Sequence, residues 1–191
     1  MSLSNQDFQV VIPAHQAADT LPDCLAALLR AGVDPSKIIV VDDGSRDQTG
    51  QIARSAGANV IRNDPALGPA QARNIGVAQC AASYVLFVDA DVVPHADAPG
   101  LLLAAFEDPA VSAAFGSYDA YPQASSIVSR YRNLLHFHVH QRADPEAETF
   151  WTGLGAVRRE RFEALGGFDA DWENIEDVEF GLRLREEGDR I

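Results

Sequence analysis

Asp89-Ala90-Asp91 follows directly on the apolar run Tyr84-Val85-Leu86-Phe87-Val88. Two carboxylates one residue apart, at the end of a buried strand, can grip one hard divalent cation from two directions. Mg²⁺ or Mn²⁺ typically takes one or two carboxylates plus the phosphate oxygens of a substrate, so a cation held there can neutralise a diphosphate. The same tripeptide also suits a solvated turn at a strand end, and its meaning rests on its neighbours. Asp42-Asp43-Gly44-Ser45 closes another apolar run, Ile38 to Val41. A carboxylate there can accept hydrogen bonds from a base or a ribose. The competing reading is turn chemistry, because Asp-Gly favours tight turns and Asp caps helices.

Gly68-Pro69-Ala70-Gln71-Ala72-Arg73-Asn74 puts a glycine and a helix start in sequence. Free amides at a helix N-terminus favour phosphate. Arg73, one turn in, can reach a ribose or a diphosphate, or be an ordinary surface arginine. Glu176-Asp177-Val178-Glu179 opens the last helix, where acids also suit the helix dipole. His136, His138 and His140 alternate at a spacing that suits ligands on a strand, but their flanks read as helix. Packing, interface or surface histidines therefore fit better than a zinc site. His15 follows the first strand, near any ligand bound there, with no motif behind it.

These residues need elements to position them. Phe8 to Ile12 reads as a strand ending at Pro13. Leu21, Cys24, Leu25, Leu28 and Leu29 recur at helical spacing, with Thr20 and Pro22 at the start and Gly32 at the stop. Ile38 to Val41 is a second strand, 47–56 a helix ended by Gly57, and Asn59 to Arg62 a third strand. The helix from Pro69 runs to about Ala81, and the fourth strand leads into Asp89. Alternating strands and helices predict a parallel sheet with crossover helices. Ligands in such sheets bind beyond the carboxyl ends of the strands. Pro13-Ala14-His15, Asp42-Asp43-Gly44 and Asp89-Ala90-Asp91 should then share one edge.

The second half is less regular. It predicts a helix at 96–107, a strand at 111–118 and a helix at about 125–140. A polar loop at 141–149, a strand at 150–157, a short helix at 158–165 and a final helix at 175–187 follow. That final helix carries Ile175, Val178 and Leu182 on one stripe. Gly188 reads as its stop and Ile191 as the first residue of another strand, so we expect a longer natural protein.

Composition sets the outer bounds. The 191 residues suit one domain, and 47% hydrophobic content is that of a globular chain. A net charge of -13 argues against a general nucleic-acid binder. Cys24 and Cys80 sit in apolar helical stretches and read as buried free thiols of a reducing compartment. No run approaches the ~18 apolar residues of a membrane span, and no secretory leader is visible.

Taken together, the motifs resemble family 2 glycosyltransferases with the GT-A fold. The matching residues are Val10-Val11-Ile12-Pro13, Val40-Val41-Asp42-Asp43-Gly44-Ser45, Gly68-Pro69 with Ala72-Arg73-Asn74, and Leu86-Phe87-Val88-Asp89-Ala90-Asp91. Gly166-Gly167-Phe168-Asp169 and Ile175-Glu176-Asp177-Val178-Glu179 complete the series. The resemblance covers nearly the whole chain, with the motifs in the family's order. It implies an α/β fold with a Rossmann-like, mainly parallel sheet flanked by helices and a smaller mixed acceptor-side part. It implies one catalytic domain over 1–191, with a nucleotide-sugar-binding half (1–95) and an acceptor-side half (96–191), continuing in the natural protein.

The implied roles follow position by position. Asp43 reads the nucleobase; Pro13, Asp42 and Arg73 neighbour the nucleotide, the last two at ribose and diphosphate. Asp89 is shared between ribose and metal, and Asp91 is the firm ligand of a divalent cation, Mn²⁺ or Mg²⁺. Asp177 resembles the general base that activates an acceptor hydroxyl, with Glu176 supporting it. Trp151 and Gly153 lie in the acceptor-facing wall, where Trp151 either stacks on a sugar or is a core aromatic. The implied reaction is metal-dependent transfer, with inversion, from a nucleotide-diphosphate sugar to a carbohydrate or lipid-linked acceptor. No nucleic acid is implied. The implied location is the cytoplasm, or the cytoplasmic face of a membrane reached through segments outside this chain. The 125–140 segment is a candidate for that interface, with core packing the equal alternative.

Two other readings compete. A sugar nucleotidyltransferase wants a glycine-rich, basic loop after the first strand, and Pro13-Ala14-His15-Gln16-Ala17 is neither. A non-catalytic nucleotide-sugar-binding domain has no need of the acids that are all present here.

Overall fold

A computed structural model describes residues 7–120, 130, 131, 133–135, 137, 138, 147–172 and 174–191. Its strands are Phe8–Ala14 (β1), Ile38–Asp43 (β2), Asn59–Asn63 (β3), Tyr84–Val88 (β4), Ala113–Phe115 (β5) and Leu154–Arg158 (β6). They form one sheet in the order β3-β2-β1-β4-β6-β5. β1 to β4 pair in parallel, while β6 runs antiparallel to both β4 and β5. The four parallel strands are the sheet that the alternation predicts, and the antiparallel edge is the mixed part that the family resemblance implies.

Helices Leu21–Arg30 (α1), Thr49–Ser55 (α2), Pro69–Val77 (α3) and Ala98–Ala104 (α4) connect the first five strands, and Arg159–Ala164 (α5) and Glu176–Glu186 (α6) follow β6. The sheet is covered on both faces, so β2 is buried at every position and β4 at all but its first. Strand alternation divides the core. Val10, Ile12, Val40 and Leu86 pack beneath Leu21, Cys24, Leu25 and Leu28 of α1. Val11, Val41, Val85 and Phe87 face the other way, with Phe162, Phe168, Phe180 and Leu184. At Gly76 of α3 an added Cβ would lie 2.4 Å from Val11 Cγ1, so a glycine lets this helix sit directly on β1.

Several boundaries differ from the sequence reading. The strand expected at 111–118 is only Ala113–Phe115, and the one expected at 150–157 begins at Leu154. Residues 150–153 turn across the sheet edge instead, where their polar groups find partners in other elements. Thr20 precedes α1, but its side chain makes no capping bond there. The stripe Ile175, Val178 and Leu182 faces outward, with 46%, 37% and 48% exposure. The buried face of α6 is Phe180, Gly181 and Leu184. A Cβ on Gly181 would fall 2.3 Å from the Phe150 backbone nitrogen, so the helix docks through the position that has no side chain.

Within 125–140, every described residue is helical, and the rest lie outside the described residues. His136 and His140 are among those outside; His138 is exposed. Of the expected 141–149 loop, 141–146 also lie outside the described residues. Among the described residues, no helix is long and apolar enough to cross a membrane.

Candidate active site

The strand order reverses between β1 and β4, and loops leaving adjacent strands part at such a point to leave a crevice. A cleft of about 740 Å³ opens there. Pro13 and His15 after β1, Asp43 at the end of β2 and Asp89 and Asp91 after β4 line it. Arg73 of α3, Trp151 and Thr152 before β6, and Glu176 and Asp177 of α6 also line it. The three strand ends thus share one edge, and the α6 acid pair joins them from the far end of the sequence.

Asp42 and Asp43 separate. Asp42 has the parity of Val40 and lies under α2, outside the cleft lining. Its Oδ2 takes Arg62 Nη1 at 2.6 Å and its Oδ1 takes the Ser45 amide at 3.1 Å. Arg62 is its register partner on β3. Asp43 faces the cleft side and is held by the loop that leads into α3. Oδ1 accepts from Asn63 Nδ2 (2.8 Å) and the Leu67 amide (2.9 Å), and Oδ2 accepts from the Gly68 amide (2.8 Å). A carboxylate has about four acceptor positions, so one remains for a ligand.

His15 reaches the same place. Its Nδ1 lies 2.5 Å from the Asp43 carbonyl oxygen. A carbonyl only accepts, so Nδ1 carries the proton and Nε2 of the neutral ring is left as an acceptor. The next residue, Gln16, has φ +50, a left-handed conformation rare outside glycine. Its amide donates to Ser45 Oγ and its Oε1 accepts from the Arg46 and Asp47 amides, which fastens the loop after β1 to the loop after β2.

Arg73 is buried and bridges two acids. Nη2 donates to Asp89 Oδ1 at 2.6 Å and Nη1 to Glu176 Oε1 at 2.5 Å. Its guanidinium also lies 5.9 Å from the centre of the Phe168 ring. A guanidinium has five N–H donors, so this one can serve both acids and still offer donors to a ligand in the cleft. Asp91 accepts no hydrogen bond from another residue among those described. Partial burial, and then the negative charge of Asp89, push its carboxyl above the ordinary carboxylate value.

This donor set fits a hard divalent cation. Asp91 and Asp89 Oδ2 offer oxygen ligands and repel each other when nothing lies between them. Among the described residues, no group of three or more His, Cys, Asp or Glu forms a cage. Two carboxylates completed by substrate phosphates is a common arrangement for Mg²⁺.

On the opposite wall, Asp177 Oδ2 accepts from the Thr152 amide (3.1 Å) and from Thr152 Oγ1 (3.2 Å). The next carbonyl, Gly153 O, accepts from the Asp89 amide at 3.1 Å. Trp151 lies over Gly153, where an added Cβ would come within 2.1 Å of the indole. Its ring centroid is 4.9 Å from that of Tyr118. The sequence assigns no role to Thr152 or Tyr118, because neither contact has a local signature.

Comparison with known proteins agrees with this architecture. The model of glycosyl transferase family 2 matches residues 9–166. The pre-mycofactocin glycosyltransferase of Mycobacterium tuberculosis is 30% identical over 202 residues, which cover 98% of this chain and 41% of that protein. The O-antigen chain rhamnosyltransferase RfbN of Salmonella typhimurium is 27% identical over 95% of this chain and 62% of its own length. The chain thus spans about half the length of these curated relatives. The mannosyltransferase PcManGT of Pyrobaculum calidifontis, solved with GDP-Man and Mn²⁺, aligns with a TM-score of 0.75 at 24% identity. That alignment covers 96% of this chain and 53% of PcManGT. Likeness at that identity speaks for the fold, which is GT-A. With its motifs in order along one sheet edge and its family match spanning most of its length, the chain belongs to glycosyl transferase family 2.

Proposed function

We propose that this chain is the catalytic domain of an inverting, metal-dependent glycosyltransferase that uses a nucleotide-diphosphate sugar. The observation that carries the reading is that Asp89 and Asp91 share one cleft with Glu176 and Asp177. Residues 1–95 form the donor half and 96–191 the acceptor half. The GDP-Man and Mn²⁺ held by a similar structure support this choice of donor and cation.

Asp43 and Pro13 hold the nucleobase end, and Arg73 donates to the ribose or diphosphate from its remaining N–H groups. Asp42 supports this end indirectly, by fixing Arg62 and the 43–45 turn. Asp91, with Asp89, would hold the cation, which when bound supplies Lewis-acid neutralisation of the departing diphosphate. Asp177 takes the proton of the acceptor hydroxyl while Glu176 keeps that helix end tied to Arg73. The acceptor oxygen bonds to the anomeric carbon as the bond to the diphosphate breaks on the opposite side, so the centre inverts. Trp151, over Gly153, offers the acceptor a flat apolar face. The acceptor is a carbohydrate or lipid-linked hydroxyl, presented in the cytoplasm or at its membrane face.

The test is a pair of variants. Asp91→Ala should lose Mn²⁺-supported binding of nucleoside diphosphate by calorimetry; unchanged affinity removes the metal assignment. Asp177→Asn should bind donor normally and lose transfer; full transfer removes it as the base.

A further inference from the structure

We propose that Thr152 is a positioning residue that orients the Asp177 carboxylate for proton transfer; the inference rests on the reading of Asp177 as the base. Thr152 is 2% exposed and precedes β6. A buried threonine hydroxyl commonly bonds to nearby backbone. This one donates instead to a carboxylate 25 positions away, and its own amide donates to the same oxygen. Asp177 Oδ2 therefore holds two donors. Oδ1 accepts only the Val178 amide at 2.8 Å, among the described residues. Two bonds on one oxygen and one on the other fix the carboxylate plane. The remaining acceptor position on Oδ1 is then the one available for a hydroxyl proton.

The placement has a second half. Gly153, the next residue, accepts the Asp89 amide through its carbonyl. One dipeptide therefore touches both acid pairs, so the distance from the base to the departing diphosphate is set by the single turn that leads into β6 and not by two independent loops. Groups held this way react from a near-attack geometry, and a displacement of about 1 Å can cost about 100-fold in rate.

The experiment compares Thr152→Val, which keeps shape and amide but removes the hydroxyl, with Thr152→Ser, which restores the hydroxyl, and with Asp177→Asn. The probe is the nucleotide sugar that most raises Tm with Mn²⁺. Nucleoside diphosphate release is followed with water as the acceptor. Thr152→Val should lower kcat by about 10- to 100-fold, with donor KM and calorimetric affinity within about 2-fold of wild type. Thr152→Ser should recover most of kcat. Wild-type kcat in Thr152→Val, with Asp177→Asn inactive, overturns the role of Thr152 alone. Loss of kcat and donor affinity together, with no recovery in Thr152→Ser, also overturns it and leaves a purely structural residue. An active Asp177→Asn overturns the underlying reading of Asp177 as the base instead.

Discussion

Arg73 donates to Glu176 Oε1 at 2.5 Å across 103 positions of sequence. Because the same guanidinium also serves Asp89, one buried cation joins the acid pair of the fourth strand end to that of the last helix. Removing it leaves two carboxylates facing each other with their shared counter-ion gone. Breaking a buried ion pair from one side typically costs about 3–5 kcal/mol. Arg73→Met should lower the free energy of unfolding by an amount in that range, measured by urea titration. A loss below about 1 kcal/mol, the scale of exposed pairs, would show that the bridge is not holding α6 in place.

Adjacent residues Asp42 and Asp43 should fail differently. Asp42→Asn weakens the pairing with Arg62 and the 43–45 turn, so stability falls while nucleoside diphosphate affinity stays near wild type. Asp43→Asn should lower that affinity by about 10-fold or more, as expected when a charged hydrogen bond to a ligand is lost. Calorimetry on the two proteins decides, and a larger affinity loss in Asp42→Asn would reverse the assignment.

Asp91 gives a pH signature. Its folded carboxyl titrates above its ordinary 3.8 because of partial burial and Asp89. Below 3.8 the group is protonated whether the chain is folded or not, and it costs nothing. As pH rises through the higher folded value, ionisation disfavours the folded state. Asp91→Asn should therefore raise Tm at neutral pH in metal-free buffer, with the gain fading toward acid pH. Because the burial is only partial, solvent screens the effect. The rise should stay within about 4 °C. A lower Tm at neutral pH would contradict this.

The two thiols should be inert. Burial raises Cys24 to about 12, with help from Asp89 and Asp91, and Cys80 to about 11. Reactivity belongs to the thiolate, so native protein at pH 8 should react with a thiol-specific chromophore at least about 100-fold more slowly than free cysteine. Unfolding in denaturant should release both. Rapid labelling of native protein would mean that the α1 or α3 packing opens readily.

The first four strands were legible because glycine and proline punctuate their apolar runs and because a parallel sheet forces successive strand ends onto one edge. Which of Asp42 and Asp43 faces the cleft was not. Their strand is buried on both sides, so Val40 and Val41 are equally apolar and alternation leaves no mark. α6 misled for a related reason. Ile175, Val178 and Leu182 form one apolar stripe, and Phe180 with Leu184 forms another. The choice falls to Gly181, whose missing side chain permits backbone contact with residues 149–150. Arg73 gave no hint of Glu176, since pairing across 103 positions depends on the completed fold.

β5 leaves the sheet at Phe115 and β6 enters it at Leu154, and the register sets Phe115 opposite Gly155 and Val88 opposite Leu154. Exit and entrance therefore lie side by side at the edge where Asp89 begins. An exchange of the residues between them would therefore begin and end beside the cleft, and one that keeps Trp151, Thr152 and Gly153 leaves the contacts to Asp89 and Asp177 in place.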